Sequence, residues 1–230
     1  MFNRKNILYE DNHLLIVNKP AGVLVQSDAA GELGLEDEIK DFIKIRDDKQ
    51  GNVFLGVVHR IDRPVSGVVL FAKSKKALVR LNEMLKNQEF KKIYWALTDK
   101  RPDDLEGTLV NHIERDSKTN KSRCVTKQTK NSKLAKLNYR TIGGSDNYTL
   151  IEIELLTGRH HQIRCQLSKA GLLIKGDLKY GAPRSNKDGS ISLHARSLEF
   201  IHPVRKEMIK ITAPTPAEDN LWRYFENSQK

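Results

Sequence analysis

Two short apolar runs, Val53-Phe54-Leu55-Gly56-Val57-Val58 and Val68-Val69-Leu70-Phe71-Ala72, flank a polar cluster, His59-Arg60-Ile61-Asp62-Arg63. Each run has the length and β-branched content of a buried strand. Pro64 and Gly67 between them exclude a continuous helix and predict a loop. Upstream, Ile7-Leu8-Tyr9 and Leu14-Leu15-Ile16-Val17 predict a hairpin about Asp11-Asn12, both good turn formers. Lys19-Pro20-Ala21-Gly22 ends it, and Val23-Leu24-Val25 is expected to be a further short extended piece. Leu35, Ile39, Phe42 and Ile43 recur at helical spacing and predict an amphipathic helix over residues 33–46. Ser74 is placed to cap a second helix that turns Leu78, Leu81 and Leu85 inward.

Lys91 to Thr98 reads as a strand with Ile93, Trp95 and Leu97 on one face and Tyr94 on the other. Residues 107–113 predict another strand. Tyr148 to Leu155 alternates as a half-exposed strand would, with Glu152 and Glu154 on one side. Thr157-Gly158 breaks it, and a helix is expected from there to about Ala170, with Ile163 and Leu167 toward the core and Arg159, His160 and Arg164 about its start and one side. Ser192 to Phe200 and Glu207 to Ile211 predict a hairpin across His202-Pro203. A last helix is expected to start near Pro216 and bury Leu221, Trp222 and Phe225. Strands outnumber helices and short turns join many of them. That pattern predicts an α+β fold, a mixed, largely antiparallel sheet with flanking helices. There is no internal repeat, low-complexity tract or long linker, so one domain over residues 1–230 is expected.

Apolar residues make up 38% of the chain and no apolar run approaches the roughly 18 residues of a membrane span, so a soluble protein is expected. No export signal is visible at Met-Phe-Asn-Arg-Lys-Asn. Cys124 and Cys165 lie far apart without metal-ligand spacing, which predicts free thiols and a cytoplasmic protein. Lysine and arginine total 40 against 29 acids, a formal charge of +11, a balance that suits a polyanionic partner such as nucleic acid. The excess concentrates between Glu114 and Arg140, where nine bases face two acids; a solvated charged surface is the plainer alternative. His160-His161 invites a metal, yet adjacent histidines on a helix point about 100° apart. The His-Glu-x-x-His spacing is also missing, so no metal is expected. Asp62 on a loop between core strands is a candidate catalytic acid, with an ordinary solvated turn as its alternative.

Three stretches change that balance: His59-Arg60-Ile61-Asp62 with Ser66-Gly67, Lys92-Ile93-Tyr94-Trp95-Ala96-Leu97, and Thr157-Gly158-Arg159-His160-His161-Gln162-Ile163-Arg164. Their order and spacing resemble the RluA-type pseudouridine synthases. The likeness continues through Gly176-Asp177-Leu178-Lys179-Tyr180-Gly181 and Leu193-His194-Ala195, and back to Leu8-Tyr9-Glu10-Asp11 and Lys19-Pro20-Ala21-Gly22. The chain departs from the family pattern at Ile61, Val65, His160 and Gln166, where Leu, Thr, Thr and His are usual. The S4-type RNA-binding domain frequent at the family's N-terminus is expected to be absent, since only a few residues precede the match.

The resemblance implies isomerisation of a uridine within ribosomal or transfer RNA, with the N1–C1′ bond broken and the ribose rejoined to C5. It implies no cofactor, because substrate and product contain the same atoms. Asp62 is then the catalytic carboxylate, as nucleophile or as base. Arg164 is the guanidinium that pairs with it, and Tyr94 is the ring against the base. Arg60 would fill the gap left by the extruded base, and His59, Arg63 and Arg159 are further candidates for holding substrate. RNA is the implied partner of a monomer with no membrane and no metal. A noncatalytic RNA-binding protein on the same fold and a metal-assisted hydrolase built on the histidines are the competing readings.

Overall fold

The apolar alternation near the N-terminus becomes sheet in the computed structural model, which describes residues 2–28 and 30–229. In chain order the first strands are β1 (Ile7–Glu10), β2 (Leu14–Lys19), β3 (Gly56–Val57), β4 (Ser66–Ala72) and β5 (Lys91–Thr98). There follow β6 (Glu106–Asp116), β7 (Lys121–Val125), β8 (Lys133–Gly144), β9 (Thr149–Leu155), β10 (Leu193–Ile201) and β11 (Met208–Thr212). The helices are α1 (Leu35–Arg46), α2 (Lys75–Lys86), α3 (Gln162–Lys169) and α4 (Asn220–Asn227). The chain falls into two compact units, Met1–Phe90 with Ala195–Pro216, and Lys91–His194 with Ala217–Lys230. With antiparallel sheet and helices in each, the fold is α+β, as the pattern predicts.

In the first unit the strands run β1-β2-β4-β10, with β3 also on β4 and β11 on β10. Alternate residues Leu14, Ile16, Val68, Leu70 and Ala72 join Ala77 and Leu81 of α2 and Leu198, Phe200 and Ile209 in one apolar cluster. Ser74 caps α2 by accepting the Ala77 N–H at 3.2 Å. Its hydroxyl supplies the bond that the first helical turn lacks. The run from Val53 to Val58 pairs less than expected: Gly56 and Val57 form the strand on β4, and Val58 N–H adds one bond to Leu70 O at 3.3 Å. Leu55 and Val58 are nonetheless buried, so the apolarity of this run serves packing more than pairing. Val23-Leu24-Val25 forms no strand. Its Leu24 and Val25 carbonyls accept the Leu35 and Glu36 N–H groups and so close the first turn of α1. Gly67 sits at φ +116°, and a Cβ there would lie 2.3 Å from the Ala195 carbonyl oxygen, so β4 can approach β10 only without a side chain.

In the second unit the order is β5-β9-β8-β6-β7, and the pairings are antiparallel. Ile93, Trp95, Leu97 and Leu150 meet Trp222 and Phe225 of α4. This helix starts at Asn220 and not at Pro216, because Asp219 caps it by accepting the Leu221 and Trp222 N–H groups at 2.8 and 3.4 Å. Strand β9, expected to be half-exposed, is largely buried between β5 and β8. Its Glu152 accepts from the Trp95 indole (3.3 Å) and Arg140 (2.8 Å), and Glu154 accepts from Asn138 (3.0 Å). These bonds let two acids sit inside a sheet.

Candidate active site

The Asp62 loop leaves β3 and turns back into β4. Its turn is closed by the Val65 N–H donating to the Asp62 carbonyl at 3.0 Å. Beneath it lies Lys19, at the end of β2 and fully buried. Its Nζ donates to the carbonyls of Pro20 (2.8 Å), Val23 (2.8 Å) and Arg63 (3.2 Å). Three acceptors take the three N–H bonds of an ammonium. Burial pulls this amine down to about 7, while the charge of Asp62 pushes it up. A buried amine therefore underlies the candidate acid and ties its loop to residues 20–23. A lysine closing a strand that opens with four apolar residues is the signal for it in the sequence.

The other residues expected in this loop have differing engagements. Arg63 is exposed and committed to the fold: Nε donates to Gly22 O at 2.9 Å and Nη1 to Glu32 at 3.0 Å. These bonds hold the loop after β2. His59 accepts the Leu70 N–H at Nε2 (3.2 Å), which pins the loop to β4. Arg60 is exposed and borders an open cavity of about 390 Å³, lined also by His59, Glu36 and Gln26.

The second unit carries Tyr94, Arg159 and Arg164. Tyr94 on β5 is largely buried. Arg159 is exposed and donates from Nε to Leu134 O at 2.9 Å, fastening the turn before α3 to β8. Arg164 is 5% exposed, and its Nε and Nη2 reach the two carboxylate oxygens of Asp177, each at 2.7 Å. Asp177 is 1% exposed, and the Tyr180 ring lies 4.9 Å from the guanidinium carbon. Removing one partner of a buried pair leaves an uncompensated charge, at about 3–5 kcal/mol. Asp177 and Tyr180 stand in the Gly176–Gly181 motif, and only the fold ties them to Arg164.

The turn before α3 differs from expectation. His160 and His161 precede the helix, whose first residue is Gln162, and His161 adopts φ +51° as its N-cap. Their rings stack with centroids 3.8 Å apart and planes at 20°, instead of diverging as on a helix. His160 Nδ1 meets the Ser122 hydroxyl at 2.9 Å. His161 Nδ1 meets the Tyr180 hydroxyl at 3.0 Å, and that hydroxyl also accepts the Ser122 N–H and donates to its carbonyl. With its one proton given to Ser122 O, the Tyr180 hydroxyl accepts from His161 Nδ1–H, which assigns the tautomer. Among the described residues, no group of three His, Cys, Asp or Glu side chains is arranged to hold a metal. Gln166 is also buried, and its Nε2 donates to Leu109 O at 3.1 Å and Asn111 Oδ1 at 2.8 Å.

Two predictions arise from these groups. Burial, aided by Arg164, depresses His161 from 6.5 to about 2. Between those values the unfolded chain binds a proton that the folded one refuses, so stability must fall on acidification through that window. From about pH 7 to about pH 5 the share due to His161 is about 2 kcal/mol. Urea midpoints should show His161→Gln losing that much less than the parent. The second concerns Cys124 and Cys165, both free, with sulfurs 3.1 Å apart. The Cys165 hydrogen bond lowers the Cys124 thiol, with Lys169 adding to the effect; that bond and burial raise Cys165. Iodoacetamide should therefore label Cys124 first, and Cys165→Ala should slow that labelling several-fold in peptide mapping.

Comparison with known proteins bears on all of this. The family model for RNA pseudouridylate synthase matches residues 13–169. The chain is 32% identical over 228 residues to the uncharacterized RNA pseudouridine synthase YhcT of Bacillus subtilis (strain 168), covering 97% of this chain and 73% of that one. It is 36% identical over 216 residues to ribosomal large subunit pseudouridine synthase C of Buchnera aphidicola subsp. Baizongia pistaciae, covering 90% and 66%. The chain thus spans from about two thirds to three quarters of these relatives' lengths. Among solved structures, human RNA pseudouridylate synthase domain containing 4 matches with a TM-score of 0.78 and 25% identity, over 97% of this chain and 91% of that one. A family match over most of the chain, and relatives above 30% identity along nearly all of it, agree with the ordered motifs: the chain belongs to the RluA-type RNA pseudouridine synthases, isomerases that convert uridine to pseudouridine in RNA.

Proposed function

We propose that this chain isomerises specific uridines in ribosomal or transfer RNA, with Asp62 as the catalytic carboxylate. Ribosomal RNA is the first candidate because curated relatives carry that substrate in their names. The observation that carries the reading is the Asp62 loop: a half-buried acid on a turn held through its backbone, above the buried Lys19 amine. A loop fixed by its backbone keeps the carboxylate in one place. Arg164 is the guanidinium for that acid and Tyr94 the ring against the uracil. Arg60 replaces the extruded base, with His59, Arg63 and Arg159 as further contacts to substrate. The protein acts as a cytoplasmic monomer without cofactor or metal, since the isomerisation consumes nothing.

The test is to incubate the protein with transcribed ribosomal and transfer RNA, digest, and resolve pseudouridine from uridine by chromatography. Product in one RNA class names the substrate. No product in either, with RNA still bound, supports a binding protein instead. Activity that survives a chelator removes the metal-assisted hydrolase.

A further inference from the structure

We infer that Asp177 is a positioning residue for the isomerisation, acting through Arg164. The inference rests on the reading of Arg164 as the partner of the catalytic acid. A guanidinium offers two usable edges to a carboxylate, Nε with one terminal nitrogen, or both terminal nitrogens. Asp177 occupies the Nε–Nη2 edge with two bonds of 2.7 Å. The Tyr180 ring lies against the guanidinium at 4.9 Å. One contact fixes the direction of the fork and the other supports its plane, so the orientation of the guanidinium is set within its own unit.

The supports are themselves held. Asp177 N–H donates to Ile174 O at 3.0 Å, and its carbonyl accepts from the Tyr180 and Ala182 N–H groups, both at 3.0 Å. The Tyr180 hydroxyl is locked between the backbone of Ser122 on β7 and the His161 ring at the start of α3. Asp177 also balances the Arg164 charge in a site almost closed to water. The arginine is thereby kept in place before any RNA arrives, so no reorganisation is needed at the moment of reaction.

The experiment compares Asp177→Asn, Asp177→Glu, Arg164→Lys and the double variant Arg164→Lys/Asp177→Asn with the parent, under conditions where circular dichroism shows each to be folded. We expect Asp177→Asn to lower kcat on the order of 10²-fold, with KM for RNA changed by less than about twofold. Asp177→Glu, which keeps the charge, should recover part of that loss. In the Arg164→Lys background, where the two-bond fork is already lost, adding Asp177→Asn should cost little more. If Asp177→Asn does not fold, the kcat-against-KM split of Asp177→Glu decides in its place. A folded Asp177 variant with parental kcat overturns the inference, as does an equal loss in both backgrounds, which marks a role in stability alone. Asp62→Ala separates the two levels. If it stays active the site assignment itself fails, whereas an inactive Asp62→Ala beside a fully active Asp177→Asn sinks only the role of Asp177.

Discussion

Asp62→Ala is expected to lower kcat for pseudouridine formation by at least about 10³-fold, with RNA affinity and fold retained. The fold should survive because the loop is held by main-chain groups. Lys19 grips the carbonyls of Pro20, Val23 and Arg63, and Val65 N–H grips the Asp62 carbonyl, while His59 fastens the loop to Leu70. None of these bonds uses the Asp62 carboxylate. Asp62→Asn keeps the shape and removes the charge, so it should be as inactive as the alanine variant. Arg63→Ala provides the contrast. Its guanidinium holds Gly22 and Glu32, so the melting temperature should fall, and any lost contact to RNA should appear in KM and not in kcat. Filter binding with labelled RNA and single-turnover assays measure the two effects separately. Equal product from Asp62→Ala and the parent would end the assignment. An inactive variant that still binds RNA shows that the conserved shape of the loop is not what performs the chemistry.

What was legible in the sequence was local. Ser74 capped its helix because an N-cap needs only the amide three residues on. Leu35, Ile39 and Ile43, and likewise Ile163 and Leu167, are buried where a helical period puts them. The candidate acid was also legible, because Pro64 and Gly67 force a loop wherever the rest of the chain goes. What escaped was decided by partners distant in the chain. Glu152 and Glu154 mark a half-exposed strand until β9 is found between two others, with Trp95, Asn138 and Arg140 supplying bonds. The histidine pair reads as helix because nothing in its sequence announces the left-handed backbone of His161, a conformation that histidine adopts more than most residues but still uncommonly. Lys19 reads as the polar end of a strand, though it is fully buried. Asp177 lies within a motif, yet only the folded chain pairs it with a guanidinium on a helix upstream.

The second large effect is expected at the basic segment. Arg115, Lys118, Lys121, Arg123, Lys127, Lys130, Lys133, Lys136 and Arg140 are all exposed, on the β6–β7 hairpin, the connection to β8 and β8 itself. Some are partly neutralised: Arg123 meets Glu114 at 3.2 Å and Arg140 meets Glu152 at 2.7 Å. Lys118, Lys127, Lys130 and Lys133 are better placed for phosphate, because their stems extend from turns or strand ends. Each phosphate they neutralise releases counterions, and the slope of log affinity against log salt becomes steeper by about 0.7–0.9 per contact. Changing these four lysines to glutamine should therefore flatten the slope by up to about 3 and weaken RNA binding about tenfold or more near physiological salt. The loss should fall on KM, since these groups position the backbone and do not touch the reacting base. A matched variant with Lys5, Lys75, Lys76 and Lys86 changed to glutamine removes the same charge from exposed sites on the first unit. If net charge alone attracts RNA, the two variants will lose affinity and salt slope equally. If the segment is the RNA surface, only the first will lose its slope, and an unchanged slope in that variant refutes the assignment.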